Sequence, residues 1–331
     1  MSKKYTVFII LLTFLLLLFG VYFSDGTEAI KELAQKVNIH YIRAVFVMMV
    51  GYWLMQIMIA KEIANNLGEK FPFFVAMKGF MIGEFFSAIT PLATGGQPMQ
   101  VVYLSKKGIK SGSSSCILAI QLFFFHISRI LLGLILTIVY WRFFYSGGYF
   151  FTFFLMLGFI LNFSIAFFMI AAVYKPEKVL KFVNFVLNLL YKIKVVKDKE
   201  KLLTQVNTEV ELFNKSIQEF RGQELKVYFI LILQNMISFV FYYGIGYYVF
   251  KSLDVSTPNF MMCLAAQIAV ALVSAYIPMP GGSLGAEGIF FLIFSQLVPE
   301  GSPIFMAILM WRMVTYYFTI LATFPFTLKL K

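Results

Sequence analysis

Long apolar runs separated by short polar loops dominate the chain. About 20 residues, at a rise of about 1.5 Å each, are enough for a helix to cross the hydrocarbon core of a bilayer. Runs near this length lie at about 5–23, 44–60, 113–143, 149–174, 227–250 and 303–326. The sequence therefore predicts an all-α polytopic membrane protein with about six full spans.

Two further apolar segments break near their middles. Segment 71–104 contains SAITPLATGGQP (residues 87–98, the first tip), and segment 259–298 contains SAYIPMPGGSLGAEG (residues 274–288, the second tip). Because proline and glycine interrupt helices, each segment is predicted to form two helical arms joined at its tip. In an alternative that stays open here, these residues only kink ordinary packed spans.

The basic residues favour hairpins that enter and leave the membrane by the same face. If both segments are such re-entrant hairpins, twenty lysine and arginine residues lie in inner loops and five in outer loops. Cytoplasmic loops normally carry this excess of basic residues. The sequence thus predicts two re-entrant helical hairpins and places both chain termini in the cytoplasm.

The order of spans and hairpins divides the chain into an inverted repeat. Residues 1–145 form the first half, with a hairpin at about 71–104, and residues 146–331 form the second, with a hairpin at about 259–298. The tips share a sequence echo, SAITP then GG against SAYIP then GG. Inverted repeats with broken helices near the membrane midplane are typical of alternating-access transporters.

A charged insert at about 175–225 lies within the second half. Apolar residues recur at helical spacing among its lysines, which predicts one or two amphipathic helices. They are expected either to lie on the inner leaflet or to form a solvated link between the halves, and both alternatives stay open.

The composition excludes a water-soluble protein. Sixty per cent of the 331 residues are hydrophobic and only 13% are charged, a balance typical of integral membrane proteins. The formal net charge of +12 is compatible with nucleic acid, but most lysines flank membrane segments. Anionic lipid headgroups are the nearer partner there, so we expect no direct nucleic-acid partner.

No catalytic or metal-binding motif is evident. Cys116 and Cys263 are single cysteines in apolar sequence, which provides neither a disulfide framework nor a CxxC site. HExxH, GxSxG and Walker-type patterns do not occur. We therefore expect no catalytic residue, no metal and no cofactor, and an enzymatic activity is not favoured.

The two tips are the first candidates for a binding site. A helix broken inside a bilayer is tolerated only where protein or a water-filled cavity satisfies its backbone, so both tips are expected to line a cavity. The second arm of each hairpin would aim its positive N-terminus at the centre and favour an anion. The candidate substrate-binding residues of the tips are Gly95, Gly96, Pro280, Gly281, Gly282 and Gly285.

Charged residues inside apolar segments add a second group of candidates. Glu84 and Glu287 lie on the hairpins, and Arg129 and Arg312 lie on the spans that follow them. Arginine binds phosphate bidentately, while a glutamate can pair with it or receive a cationic headgroup. The alternative is two structural Arg–Glu bridges without a ligand. His126 is predicted either to couple protons or to be a packed hydrogen-bonding residue.

The two tips resemble a known family. IPMPGGSLGAEG (277–288) and GEFFSAITP (83–91) are similar to motifs of the lysylphosphatidylglycerol synthase transmembrane, or flippase-like, family, which includes the membrane half of the multiple peptide resistance factor. The resemblance implies transport of aminoacylated phosphatidylglycerol to the outer leaflet. Two-domain members add a soluble domain that makes the lipid from aminoacyl-tRNA. This chain ends at Lys331 directly after its last span, so a separate synthase is a possible partner.

These observations lead to a functional hypothesis. We expect a lipid flippase or scramblase that moves an anionic or aminoacylated phospholipid, of the phosphatidylglycerol or lysylphosphatidylglycerol type, or a related lipid-linked substrate. A bacterial-type cell membrane and a membrane phospholipid are its expected location and partner. The alternatives are the membrane subunit of a phosphatidylglycerol lysyltransferase and a small-solute transporter.

Overall fold

A computed structural model describes most of the chain beyond its N-terminal region. The described ranges are 37–146, 148–174, 220–274 and 279–328, with single positions at Leu15, Glu177, Lys181, Phe185, Ile217, Gln218 and Ile277. Almost all of the predicted first span at 5–23 and most of the predicted insert at 175–225 therefore lie outside the described residues.

Regular structure in these ranges is helical. In chain order the helices are α1 Ile39–Asn66, α2 Phe73–Ile89, α3 Gly96–Lys106, α4 Ser111–Val139, α5 Trp141–Ser146, α6 Gly148–Tyr174, α7 Leu225–Tyr243, α8 Ile245–Ser252, α9 Phe260–Ser274, α10 Gly285–Phe294, α11 Ile304–Arg312 and α12 Thr319–Thr327. A π-helical segment, Met313–Phe318, joins α11 to α12.

Four of these segments are long and apolar enough to cross a membrane, counting only residues that the structure describes. They are Ile39–Asn66, Ser111–Val139, Leu225–Ser252 and Ile304–Thr327. Their length and composition, together with the shorter apolar helices, confirm an all-α polytopic membrane protein.

Helices α1 and α7 pack closely across the two halves of the sequence. A Cβ atom on Gly51 would lie 2.7 Å from the Phe241 ring, so the absence of a side chain permits the close approach. Further along, the Gln56 side chain donates to Ser238 Oγ at 2.9 Å, and Gln121 donates to Gln56 Oε1 at 3.1 Å. These buried amides join α1, α4 and α7 around the centre of the bundle.

Both broken segments consist of two helices separated by a nonhelical stretch within the tip. Helix α2 packs against α3 around the first tip, and α9 packs against α10 around the second. Helices α3 and α10 have 11 and 10 residues, too few to cross a bilayer. Helical arms around two tips are thus present as predicted; their re-entry from one face and the inverted repeat remain predictions.

The two tips contact each other. Pro91 of the first tip and Pro280 of the second form an isolated antiparallel β-bridge. The Tyr316 hydroxyl, from the π-helical segment, donates to the Ala88 carbonyl of the first tip at 3.3 Å. The echo in the sequence identified two similar tips, and the tertiary structure brings them together.

Candidate functional site

A cavity of about 660 Å³ lies beside the two tips. Residues from α1, α2, α3, α4, α6, α7, α9 and both tips line it. Among the predicted site residues, the lining includes Glu84, His126, Arg129, Gly281 and Gly282. The tips therefore border a cavity, as expected for backbone broken inside a membrane.

The second tip has a backbone that requires glycine at Gly281. Its φ is +60°, and a Cβ atom there would meet the ring of Tyr316. Leu284, the residue before α10, also has a positive φ of 67°, an uncommon conformation for a branched side chain. Such strained positions are concentrated at functional sites, which agrees with the position of this tip on the cavity.

The remaining predicted tip residues pack within the hairpins or, for Pro280, against the other tip. Gly95, Gly96, Pro280 and Gly285 are not among the described residues that line the cavity. A Cβ atom on Gly96 would meet the Ser87 hydroxyl, and one on Gly285 would meet the side chain at position 277. In this structure these positions allow each tip to fold tightly, and a direct contact with substrate remains a prediction.

Arg129 is held at the cavity by uncharged partners. It is 6% exposed, and its Nη2 donates to Asn162 Oδ1 at 2.6 Å and to His126 Nδ1 at 3.1 Å. The guanidinium lies over the Phe125 ring, 5.3 Å from the centroid. No carboxylate of the described residues forms an ion pair with it, and its Nε lacks a hydrogen bond there. Within the described residues its positive charge therefore has no ion-pair partner.

His126 is neutral in this arrangement. Because a guanidinium only donates, His126 Nδ1 must accept the bond from Arg129, which assigns the ring proton to Nε2. The 3.3 Å separation between His126 Nδ1 and Asn162 Oδ1 is then a contact between two acceptors of the same donor. The geometry favours the hydrogen-bonding role of His126, and proton coupling remains a prediction.

Glu84 is the acidic group of the cavity. It lies on α2 and contributes to the lining together with Tyr52 and Tyr242. Within the described ranges Glu84 has neither an ion pair nor a hydrogen bond, so the bridge to Arg129 that the structural alternative required does not form there. The cavity consequently presents a guanidinium group and a separate carboxyl group.

Glu287 and Arg312 form the buried ion pair of the second half. Arg312 Nε lies 2.8 Å from Glu287 Oε1, and Arg312 Nη1 donates to the Gly281 carbonyl at 3.1 Å. The guanidinium also lies 4.6 Å from the centroid of the Trp311 ring. Neither charged residue is among the described residues lining the cavity. In this structure the pair contacts the second tip through the Gly281 carbonyl, which agrees with the structural alternative.

Asn162 is a site residue that the sequence interpretation missed. It is fully buried on α6 and contacts both Arg129 and His126. Its helix carries few polar residues, since GYFFTFFLMLGFILNFSIAFFMIAAVY contains one asparagine. A lone amide in a span this apolar was the available signal, because a polar side chain in hydrocarbon needs a partner.

Most of the chain is similar to known proteins. Residues 6–322 match the family described as the lysylphosphatidylglycerol synthase TM region. The chain belongs to this family. It is also 24% identical over 301 residues to a UPF0104 membrane protein of Archaeoglobus fulgidus, covering 88% of this chain and 87% of the relative. The family match includes both tips, Arg129 and Arg312, and it relates the chain to lysylphosphatidylglycerol handling.

Proposed function

We propose that this protein moves a phospholipid with an anionic or aminoacylated headgroup between the two leaflets. The headgroup occupies the cavity beside the tips, and its phosphate binds Arg129. The observation that carries this proposal is a buried arginine on the cavity without a compensating carboxylate among the described residues. An unpaired charge is costly inside a membrane, so an anionic ligand supplies the missing partner.

The N-terminus of α3 adds to the attraction for an anion. The first turn of α3 carries no acidic residue, and Gln97 in that turn lines the cavity. The partial positive charge of a helix N-terminus favours a phosphate. In α10, by contrast, Glu287 lies in the first turn and complements that helix end internally.

The size of the cavity suits a headgroup. A volume of about 660 Å³ falls in the range of about 300–1,000 Å³ typical of small-molecule sites. The acyl chains of the lipid would remain in the bilayer. Glu84 offers a partner for an ammonium group, so an aminoacylated phosphatidylglycerol would have its phosphate at Arg129 and its amine at Glu84.

We further propose a bacterial-type cell membrane with both termini in the cytoplasm, on the strength of the basic residues in the predicted inner loops. Single cysteines at Lys110 and Asp254 test the orientation, because these exposed positions belong to a predicted inner and a predicted outer loop. Both native cysteines are buried. In intact cells, an impermeant thiol reagent should label position 254 and leave position 110 unlabelled; the reverse pattern would invert the topology.

Translocation by the purified protein is the decisive test. Vesicles would contain headgroup-labelled phosphatidylglycerol, and an impermeant quencher would report inner-leaflet lipid that reaches the outside. We expect quenching above protein-free vesicles, loss of that excess in Arg129→Ala, and retention in Arg142→Ala, which changes an exposed arginine outside the cavity. Equal quenching by folded Arg129→Ala and wild-type protein would remove the proposed phosphate site.

The family description favours one second candidate, the membrane subunit of a phosphatidylglycerol lysyltransferase. That function requires a separate synthase to supply lysylphosphatidylglycerol. Copurification of a synthase, together with lipid movement only in its presence, would support this alternative. Movement of supplied lysylphosphatidylglycerol by the purified chain alone would support the translocase. Uptake of a hydrophilic solute without lipid movement would contradict both.

A further inference from the structure

Asn162 connects three helices at the edge of the cavity. The residue is 0% exposed. Its Oδ1 accepts from Arg129 of α4 at 2.6 Å, and its Nδ2 donates to the carbonyl of Gly158, one turn earlier in α6, at 2.8 Å. The same Nδ2 donates to the Leu272 carbonyl of α9 at 3.4 Å. Asn162 therefore fixes Arg129 relative to the first arm of the second hairpin.

The orientation of the Asn162 amide follows from its neighbours. Carbonyl oxygens only accept hydrogen bonds, so Nδ2 must face Gly158 and Leu272. Arg129 only donates, so Oδ1 must face the guanidinium. A flipped amide would place donor against donor and acceptor against acceptor. Each of these contacts selects the same orientation, and the position of Arg129 is fixed without a charged partner.

The second half shows what a charged partner does at an arginine. Glu287 at 2.8 Å neutralises Arg312, and that pair is excluded from the cavity lining within the described part of the chain. Asn162 occupies the equivalent role beside Arg129 but carries no charge. Asparagine and aspartate have similar sizes but differ in charge. An aspartate at position 162 would form an ion pair with Arg129, whereas asparagine leaves the guanidinium able to bind an anion.

We infer that Asn162 is the positioning residue that sets the charge selectivity of the cavity, holding Arg129 in place while leaving its charge available to a lipid phosphate. This inference rests on the proposed function. It requires that a carboxylate at position 162 compete with the ligand for Arg129, and that a small apolar residue there leave the charge in place but less firmly held.

Binding of short-chain lipids to the purified full chain tests the inference. The probes are dioctanoyl-phosphatidylglycerol, which is anionic, and dioctanoyl-phosphatidylethanolamine, which is zwitterionic. Both probes carry a phosphate, but only the zwitterionic probe carries an ammonium group, which a carboxylate at position 162 attracts. In Asn162→Asp we therefore expect the affinity ratio of the anionic to the zwitterionic probe to fall at least tenfold. In Asn162→Ala both affinities should fall, with the ratio within about threefold of wild type. If Asn162 had only a structural role, Asn162→Asp and Asn162→Ala would change the affinity ratio by the same factor.

A matched control is available at Asn259. This exposed asparagine accepts a hydrogen bond from the Met262 amide at 2.9 Å near the start of α9, a role that aspartate fills equally well. Asn259→Asp lies outside the cavity lining and should keep the wild-type ratio. If Asn162→Asp is not recovered as folded protein, His126→Glu brings a carboxylate to the same guanidinium, with His126→Gln as its reference.

The outcomes separate the inference from the proposed function. A wild-type protein that binds neither probe would overturn both. A wild-type protein that binds the anionic probe, with an unchanged ratio in folded Asn162→Asp or in His126→Glu relative to His126→Gln, would overturn the inference alone. A tenfold fall confined to the carboxylate variants would establish that the uncharged partner of Arg129 determines selectivity.

Discussion

Arg129 and Arg312 each follow a hairpin in the sequence and lie over an aromatic ring, yet their hydrogen-bonding and charged partners differ. Arg312 has a carboxylate 2.8 Å away and donates to the backbone of the second tip. Arg129 has an amide and a neutral imidazole as partners, and it lines the cavity. The two arginines differ in the charge of their partners: Arg312 has a carboxylate, whereas Arg129 has uncharged partners among the described residues and lies on the cavity.

The acidic residues explain why the halves differ. Glu287 follows the Gly-Gly pair of its tip, in the first turn of α10, whereas Glu84 precedes the first tip, on α2. When the two Gly-Gly pairs are aligned, the first half has Val101 where the second has Glu287. The first half therefore has no acid on its second arm at the place from which Glu287 reaches Arg312.

The largest expected effect comes from removing each arginine. Arg312→Ala leaves Glu287 buried without its partner and should destabilise the fold by about 3–5 kcal/mol. Arg129→Ala removes a charge that lacks an ion pair among the described residues, so the fold should persist while translocation is lost. Thermal unfolding and the vesicle assay, run on both variants, check this. Wild-type stability of Arg312→Ala would contradict a structural role for the Arg312–Glu287 pair.

Gly281→Ala should produce the next largest effect. The substitution forces an alanine into a positive φ and brings its methyl group against Tyr316, so we expect destabilisation of about 1–3 kcal/mol. Gly288→Ala is the matched control, because that glycine lies in α10 with no heavy atom within 4 Å of an added Cβ. Unfolding midpoints should fall for position 281 and hold or rise for position 288.

Glu84→Gln should change the selectivity of the cavity between lysylphosphatidylglycerol and phosphatidylglycerol. Removing this charge should weaken binding of lysylphosphatidylglycerol by about tenfold, in line with the loss of one charge-assisted hydrogen bond. Binding of phosphatidylglycerol should hold or improve, because the variant removes a negative charge from the cavity. Titration of both lipids into wild type and variant measures the difference. Equal losses for both lipids would mean that Glu84 does not contact the amine.

Tyr316→Phe should have the smallest effect. The variant keeps the ring that packs on Gly281. It loses the 3.3 Å hydrogen bond from the Tyr316 hydroxyl to the Ala88 carbonyl. The expected cost is about 0.5–1.5 kcal/mol of stability. A larger loss of translocation than of stability would indicate that contact between the tips is part of the transport step; parallel losses would indicate packing alone.

The observed ends of the helices show how accurately hydropathy predicts helix boundaries. The run at 149–174 predicted α6 to within one residue, since its helix is Gly148–Tyr174. The run at 44–60 was too short, because α1 covers Ile39–Asn66 and begins after Asn38, whose side chain accepts from the His40 amide. Hydropathy detects the hydrocarbon-facing part of a helix, while its polar ends depend on capping.

The prediction for the fourth described helix was too long for a different reason. The run at 113–143 suggested one span, but α4 ends at Val139 and a separate short helix, Trp141–Ser146, follows. The residues at this break are apolar and aromatic, without glycine or proline. A pattern based on hydrophobicity and helix breakers contains no signal for such an interruption.

The sequence by itself determined the membrane class, the apolar helices, the two broken tips and the candidate charges, because these follow from composition and from the local backbone limits of proline and glycine. The tertiary structure decided which charges meet. Asn162 lies 33 residues from Arg129, whereas Glu287 reaches Arg312 across the connection between α10 and α11. Such pairings depend on how helices rotate and pack against one another, because side chains interact only when that packing brings them within a few ångströms.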